Sequence, residues 1–255
     1  MPINKTEAFI LRQSPFRDSS KMVTFFTRDF GKIRCIAKGA RRLKNGFGAS
    51  LEIFSHCDII YYHKDQRELQ TLAKSEILHY FSLCRLNLHK TACLDLIVEI
   101  VDRVHLDRDR NISYFDLLHQ IFYQMEQTDH NHFKMLSYFI LKTLDLLGYR
   151  PTFSSCVRCR EALVHADAEI LRLSTEGRLC ERCSLHQEIL LLQEPQWGSL
   201  FTDLENLSLE KLLQEKQTPH FKKEITDFLI KLVSPHLHQN APLKSYEFFK
   251  NVAFA

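Results

Sequence analysis

Glycine and proline are both scarce in this 255-residue chain, with seven of each. This composition argues against long flexible linkers and low-complexity regions, which are rich in these residues. The sequence also lacks long apolar runs, and stretches such as residues 189–192 are far too short to span a bilayer. No basic segment followed by an apolar run begins the chain, so we expect a soluble cytoplasmic protein with no membrane partner.

Several signatures of catalysis are also missing from the sequence. It contains no GxxxxGK phosphate loop, no GxGxxG dinucleotide motif, no GxSxG nucleophile motif and no HExxH zinc motif. The aspartates at 102, 107 and 109 are interleaved with arginines, which predicts a salt-bridged helix end rather than a two-metal nuclease site. We therefore do not expect an enzyme, and a metal-dependent nuclease is the alternative that remains.

Positive charge is concentrated in the first part of the chain. Residues 1–50 hold 11 Lys and Arg against 3 Asp and Glu, whereas residues 51–255 hold 23 against 28. Such a contrast indicates an anionic partner for the N-terminal part. A basic surface without a specific partner is the alternative explanation.

The densest basic cluster is KGARRLKNG at residues 38–46, which contains four cations and no acid. It follows the segment 32–38, where apolar and basic residues alternate, so that one strand face is apolar and the other basic. Together these cations could contact several phosphates without reading sequence. The candidate nucleic-acid-binding residues are Lys32, Arg34, Lys38, Arg41, Arg42 and Lys44. Of the nearby aromatic residues, Phe30 and Phe47 could stack on bases, whereas Phe26 fits a barrel core better.

The first 80 residues are predicted to form a small barrel. Their apolar residues alternate with period two, and β-branched and aromatic residues are frequent. The predicted strands are residues 5–13, 21–27, 32–38, 50–62 and 68–78. Five short strands in this length are typical of an antiparallel barrel of the OB type, which binds oligonucleotides on one face. We therefore predict an OB domain at residues 1–80.

After residue 80 the apolar period changes from two to 3.6, which predicts a helical domain at residues 81–255. Apolar stripes begin at Leu94, Phe115, Phe133 and Phe221, and Ser113 with Asp116 is placed like a helix cap. These stripes are predicted to be core.

Four of the eight cysteines are ordered as two CxxC pairs, and 20 residues separate the pairs. Two such pairs complete a tetrahedral zinc site, which leaves no open position for water and therefore predicts structural zinc. The predicted ligands are Cys156, Cys159, Cys180 and Cys183. Disulfides and a thioredoxin-like redox motif are less consistent with the compartment and the surrounding sequence. The other four are predicted to be buried apolar residues: Cys35, Cys57, Cys84 and Cys93.

The predicted fold class is therefore α+β. An N-terminal OB-type antiparallel β-barrel precedes an α-helical domain, and a zinc-binding segment at residues 153–186 is inserted in that domain.

The order of these features resembles the bacterial recombination mediator family RecO. The resemblance rests on ILRQSPFRDSSKMVTFFTRDFGKIRCIAKGARR at residues 10–42, RELQTLAKSEIL at 67–78, LLGYRPTFSSCVRC at 146–159 and EGRLCERC at 176–183. It implies a role in DNA repair and recombination: binding of single- and double-stranded DNA and annealing of complementary strands. It further implies contact with the acidic tail of the single-strand binding protein, and cooperation with RecR in loading RecA.

The chain departs from this family's pattern at two positions near the cysteines. Arg160 follows the first CxxC, where the family commonly has glycine, and Glu176 with Gly177 stands where a glycine pair is frequent. These departures concern the backbone around the cysteines rather than the identity of the ligands. A different binding role, in RNA binding or transcription, is the alternative for a chain that combines a barrel with a zinc site.

Overall fold

A computed structural model describes most of the chain. The described residues are 2–43, 46–163, 170–185, 189–192, 196–206, 208–214, 223–238 and 241–254. Their contacts divide into two compact units, Met1–Gln127 with Leu237–Ala253, and Thr128–His236 with Phe254–Ala255. The domain boundary predicted at residue 80 falls inside the first unit, where strands give way to helices, and it stays a prediction.

The first unit contains a closed five-stranded barrel, as predicted. Its strand order is β1-β2-β3-β5-β4, and β1 pairs with both β2 and β4 to close the barrel. β3 and β5 pair in parallel over only three residues each, 34–36 with 69–71. The strands are β1 (Ile3–Phe16), β2 (Ser20–Thr27), β3 (Gly31–Ala37), β4 (His56–Tyr62) and β5 (Leu69–His79). This order, with its single short parallel pairing, is that of an OB-type barrel.

Alternation along β3 produces the two faces that the sequence predicts. Ile33, Cys35 and Ala37 are buried in the barrel core, because successive side chains of a strand point to opposite faces. Gly31 begins this strand with a φ of +64°, and a Cβ there would lie 2.2 Å from the Asp109 carbonyl oxygen. Glycine is therefore required where the chain beyond the barrel approaches β3.

β1 is buried on both faces because helices cover the outside of the barrel. Ala8 and Ile10 point into the barrel core, whereas Phe9 points outward and its ring lies 5.0 Å from that of Phe122. Three helices follow the barrel in the chain: α1 (Ser82–Leu86), α2 (Leu88–Val104) and α3 (Ile112–Gln127). The apolar residues on both sides of β1 therefore belong to two different packing layers.

Two local predictions for this unit were wrong. The fourth strand begins at His56 rather than Ser50, because residues 48–51 form a 3-10 turn and Phe54 has a φ of +74°. The cap of α3 is Asn111, whose side-chain oxygen accepts a hydrogen bond of 2.9 Å from the Tyr114 backbone N–H. Asparagine caps helices as well as serine does, and it lies directly before the first helical residue.

The C-terminal helix α9 (Lys244–Ala253) belongs to the first unit and packs against α2. Its first turn is fixed by Glu99, whose carboxylate accepts a hydrogen bond of 2.8 Å from the Ser245 N–H. Arg103 donates to the carbonyls of Ala241 and Pro242. The chain therefore returns to the first unit after completing the second.

The second unit combines helices with a small three-stranded sheet of order β7-β6-β8. The elements are α4 (His132–Leu146), β6 (Leu171–Ser174), β7 (Gly177–Arg178), α5 (Glu181–Ser184), β8 (Leu190–Leu192), α6 (Gln196–Asn206), α7 (Leu209–Gln214) and α8 (Lys223–Val233). The predicted core stripes of α4 and α8 are confirmed, although Phe221 lies outside the described residues. Within the described part of the chain, no helix combines the length and apolar character needed to cross a membrane.

His56 is buried where the barrel meets α3. Its ring stacks on Phe9 at 4.6 Å between centroids, and it is 2% exposed. Burial, together with the neighbouring His119 and His79, lowers its pKa to about 4. The folded protein therefore holds His56 neutral at pH values where the unfolded chain protonates it.

We expect stability to fall as the pH drops through 6.5 toward 4. Because the folded-state pKa of His56 is lower than the unfolded value, its contribution is complete above pH 6.5 and is lost below it. From this group alone the free energy of unfolding should decrease by about 1 kcal/mol between pH 7 and pH 5.5. Urea denaturation at both pH values measures the change. The variant His56→Phe keeps a stacking ring and should show a smaller decrease, so equal decreases in both proteins would contradict the assignment.

Candidate nucleic-acid interface and metal centre

The basic cluster after β3 is held against the β1–β2 turn. The Arg41 N–H donates to the Ser19 carbonyl at 2.9 Å, and the Arg41 guanidinium donates to the carbonyls of Arg17 and Asp18 at 3.2 and 3.4 Å. Two loops that are distant in sequence therefore form one surface at one end of the barrel.

Four exposed cations lie on these joined loops, and we call them the basic rim: Arg17, Lys38, Arg41 and Arg42. Arg17 could not be predicted as part of this cluster, because it is isolated in the sequence and reaches the cluster only through the fold. Its guanidinium lies 5.4 Å from the ring centre of Phe16. Lys44, which the sequence placed in the same cluster, lies outside the described residues.

Lys32 and Arg34 lie on the outer face of β3, as predicted, but acidic residues pair with both. The Lys32 ammonium lies 3.1 Å from the Asp102 carboxylate, and its side chain is only 12% exposed. The Arg34 guanidinium lies 2.7 Å from Asp107 and 3.3 Å from Glu68. Because acidic residues pair with Lys32 and Arg34, we do not include these two cations in the basic rim.

The ion pairs form because the end of α2 and the segment that follows it pack along the start of β3. The Arg108 N–H donates to the Lys32 carbonyl at 2.8 Å, which places Asp107 beside Arg34, and Asp102 reaches Lys32 from the last turn of α2. Asp102, Asp107, Arg103 and Arg110 form ion pairs, as the sequence predicts, whereas Arg108 donates to backbone carbonyls. Their partners on the barrel could not be predicted from the pattern itself.

The three aromatic candidates differ in their surroundings. Phe26 is fully buried, and its ring centre lies 4.8 Å from that of His105. Phe26 is therefore buried rather than free to stack on a base, but the prediction that it lies in the barrel core was wrong, because it faces outward and packs against Tyr114 and Phe115. Phe30 and Phe47 are half-buried and pack against the barrel core.

The four ordered cysteines meet in the second unit. Their sulfur atoms all lie within 4.8 Å of one another, and those of Cys159 and Cys180 are 3.7 Å apart. Four sulfurs at about 2.3 Å from a tetrahedral ion would be separated by about 3.8 Å, so the donor set and its spacing fit a metal ion. Among the described residues, this is the one group of cysteine, histidine and acidic side chains that could hold a metal.

The backbone around the cysteines accommodates both departures from the family pattern. The Arg160 N–H donates to the Cys156 carbonyl at 2.9 Å, and Arg160 takes a φ of +62°, a conformation that glycine adopts more readily. At Gly177, where φ is +134°, a Cβ would lie 2.5 Å from the Thr152 carbonyl oxygen. The glycine that this site requires is therefore present.

The remaining four cysteines are fully buried, as predicted: Cys35, Cys57, Cys84 and Cys93. Burial raises the pKa of Cys57 to about 11 and that of Cys84 to about 12, so both are thiols at neutral pH. They act as small apolar core residues.

Comparisons with known proteins give one consistent result. The family model described as recombination protein O N terminal matches residues 1–81. The family model described as recombination protein O C terminal matches residues 85–247. The chain is 29% identical over 266 residues to the DNA repair protein RecO of Chloroherpeton thalassium, covering 99% of this chain and all of the relative. It is 30% identical to that of Symbiobacterium thermophilum, covering 72% of each, and 28% identical to that of Syntrophus aciditrophicus, covering 71% and 69%. With both models matched over most of its length, the chain belongs to the recombination protein O (RecO) family.

Proposed function

We propose that this protein is a DNA repair and recombination mediator that binds single- and double-stranded DNA without sequence specificity. The observation that carries the proposal is the basic rim, where two loops present exposed cations at one end of an OB-type barrel in a RecO-family chain. The protein acts by binding rather than by catalysis.

The basic rim binds DNA through its phosphates. Each phosphate that a lysine or arginine neutralises releases condensed counterions, so affinity depends on the number of cations and not on base sequence. Lys38, Arg41 and Arg42, with Arg17 and Lys44, are the proposed primary contacts. Phosphate contacts at Lys32 and Arg34 are secondary, because DNA must there displace carboxylate partners.

Replacing Arg41, Arg42 and Lys44 with alanine should weaken DNA binding and flatten its salt dependence. The loss of three phosphate contacts reduces the slope of log affinity against log salt by about 2 for a single strand. Fluorescence anisotropy with a labelled oligonucleotide at several salt concentrations measures this slope.

The matched control replaces Lys5, Lys74 and Lys250, which pair with acids elsewhere in the first unit, and removes the same net charge. Equal changes in slope for both triple variants would mean that the rim is not in the phosphate path. RNA of the same sequence serves as a second probe, and markedly tighter binding to RNA would favour the RNA-binding alternative.

We propose that the protein anneals complementary strands by screening the charges of their phosphates. A protein that neutralises two phosphate backbones lowers the repulsion between complementary strands and needs no catalytic residue. We further propose the partners that the family implies: the acidic tail of the single-strand binding protein, RecR, and RecA through them.

We expect the protein to accelerate pairing of complementary strands that are already coated with single-strand binding protein. Stopped-flow fluorescence with a donor on one strand and an acceptor on the other measures the rate. The control uses strands coated with a single-strand binding protein that lacks its acidic tail. On these strands the acceleration should be lost. Equal acceleration with and without the tail would contradict tail recognition, and no acceleration of coated strands would contradict the mediator role.

We propose that the four-cysteine cluster binds one structural zinc ion. Cys156, Cys159, Cys180 and Cys183 would hold it, and four thiolates leave no site for a reacting water. The ion would join the loop before β6 to α5, since Cys156 and Cys159 precede the sheet whereas Cys180 and Cys183 flank the start of α5.

Replacing both Cys159 and Cys183 with serine should remove the zinc and expose residues 156–183 to protease. Structural zinc contributes directly to the folding of such a segment, because a preformed site does not exist without it. Metal analysis and limited proteolysis measure both effects. The salt slope of DNA binding should stay at the wild-type value, because the rim belongs to the other unit. A purified wild-type protein that contains no zinc under reducing conditions would overturn this assignment.

A further inference from the structure

The first unit contains a pocket of about 440 Å³, separate from the basic rim. It lies between the start of β3, the β4–β5 loop at residues 63–68, and the segment 107–110 that follows α2. This volume falls within the range of roughly 300–1,000 Å³ that is typical of small-molecule sites. Asp107 and Glu68, which pair with Arg34, therefore also line a space of ligand size.

The base of the pocket is apolar, and hydrogen bonds hold the β4–β5 loop that borders it. Phe30 and Tyr61 line it, with ring centres 5.9 Å apart and ring planes nearly perpendicular, and Ile33 lies beside them. The buried Gln70 amide accepts from the Lys64 N–H at 2.8 Å and donates to the Lys64 carbonyl at 3.1 Å. The β4–β5 loop is therefore held in one conformation by a side chain of β5.

Two guanidinium groups line the pocket and are fixed by hydrogen bonds. Arg34 donates through Nε and Nη2 to Asp107 at 3.1 and 2.7 Å. Arg108 donates through Nη1 to the Asp65 carbonyl at 3.2 Å and through Nη2 to the Arg67 carbonyl at 2.7 Å. N–H donors lie in the guanidinium plane, so these bonds do not occupy the faces of the group, through which it stacks.

The charges around the pocket nearly cancel. Its lining contains five Lys and Arg side chains and four Asp and Glu side chains. A nearly neutral wall with apolar and guanidinium surfaces fits an uncharged planar ligand better than a phosphate group. At the exposed edge, the Arg67 guanidinium has no hydrogen bond or ion pair with any described residue, so it could meet one phosphate of the same nucleotide.

We infer that this pocket binds one unpaired nucleobase of single-stranded DNA, stacked against the fixed guanidinium groups of Arg34 and Arg108. The inference rests on the proposed function, which brings a single strand to the barrel. A base in a duplex cannot enter, because its faces are already stacked on neighbouring bases. The pocket therefore gives the protein a preference for single strands that the rim, which reads only phosphates, does not provide.

The first test compares two single strands of equal length and charge with the wild-type protein. One is oligothymidylate and the other carries the same phosphates on abasic tetrahydrofuran residues. Stacking of one base should make the oligothymidylate bind more tightly, on the order of tenfold, at a salt concentration where both are measurable. Equal affinities with a normal salt slope would overturn the pocket and leave the proposed function standing. Loss of the salt slope itself would overturn the proposed function.

The second test uses Arg34→Lys, which keeps the positive charge beside Asp107 but removes the planar face. The ratio between the affinities for oligothymidylate and for the abasic strand should fall severalfold. Arg28→Lys is the matched control, because the Arg28 side chain is also 39% exposed and pairs with Asp116 at 2.8 Å, outside the pocket. A preference that survives Arg34→Lys, or falls equally in both variants, contradicts stacking on Arg34.

A third measurement does not depend on any variant. With ¹³C-labelled isoleucine methyl groups, addition of thymidine 5′-monophosphate should shift the Ile33 signal, because Ile33 lines the pocket. Ile59, which is buried in the barrel core, is the internal control and should not move. Absence of a shift at Ile33 up to millimolar nucleotide would contradict binding in the pocket.

Discussion

The pairing of β3 with the segment that follows α2 determines what the rest of the first unit can do. Lys32 and Arg34 lie on a strand face that would otherwise be the most basic part of the barrel, and Asp102 and Asp107 neutralise it. Because the Lys32–Asp102 pair is partly buried, it is screened less by salt than a surface pair such as Arg34–Asp107. The same packing encloses the pocket, and it leaves the exposed positive charge at the opposite end of the strand, on the rim.

The difference between local patterns and contacts between residues distant in sequence explains which features the sequence could predict. The barrel and the cysteine cluster follow from local patterns: alternation along each strand, and two CxxC pairs whose thiolates can meet at one ion. The pairs of Lys32 and Arg34 join residues 70 and 73 positions apart, and no local pattern encodes such a distance. Two charge patterns were visible separately, a basic strand face and alternating aspartates, but only the fold shows that they meet. For the same reason Arg17 was missed, since the fold brings it to Arg41.

Phosphate binding and base binding require different surroundings, and the two proposed sites differ in this respect. Phosphates are best met by exposed, mobile cations, because counterion release does not need fixed geometry. Stacking instead benefits from side chains whose conformations are already fixed, since the entropy of ordering them is lost during folding and not during binding. The exposed Lys38 on the rim has the first kind of surroundings, whereas Arg34 and Arg108 have the second.

A mediator that anneals strands must hold single strands without competing with their complements. Contacts to phosphates leave the base edges free to pair, and a pocket for a single base withdraws only one base at a time. Each base pair step formed in a duplex contributes about 1.4 kcal/mol of stacking. In the proposed mechanism, pairing of a few neighbouring bases therefore outweighs one stacking contact on Arg34, and the captured base is released as the duplex extends. A barrel with many stacking positions would bind single strands more tightly but would oppose annealing, so a single pocket beside a phosphate-binding rim is consistent with both holding and release.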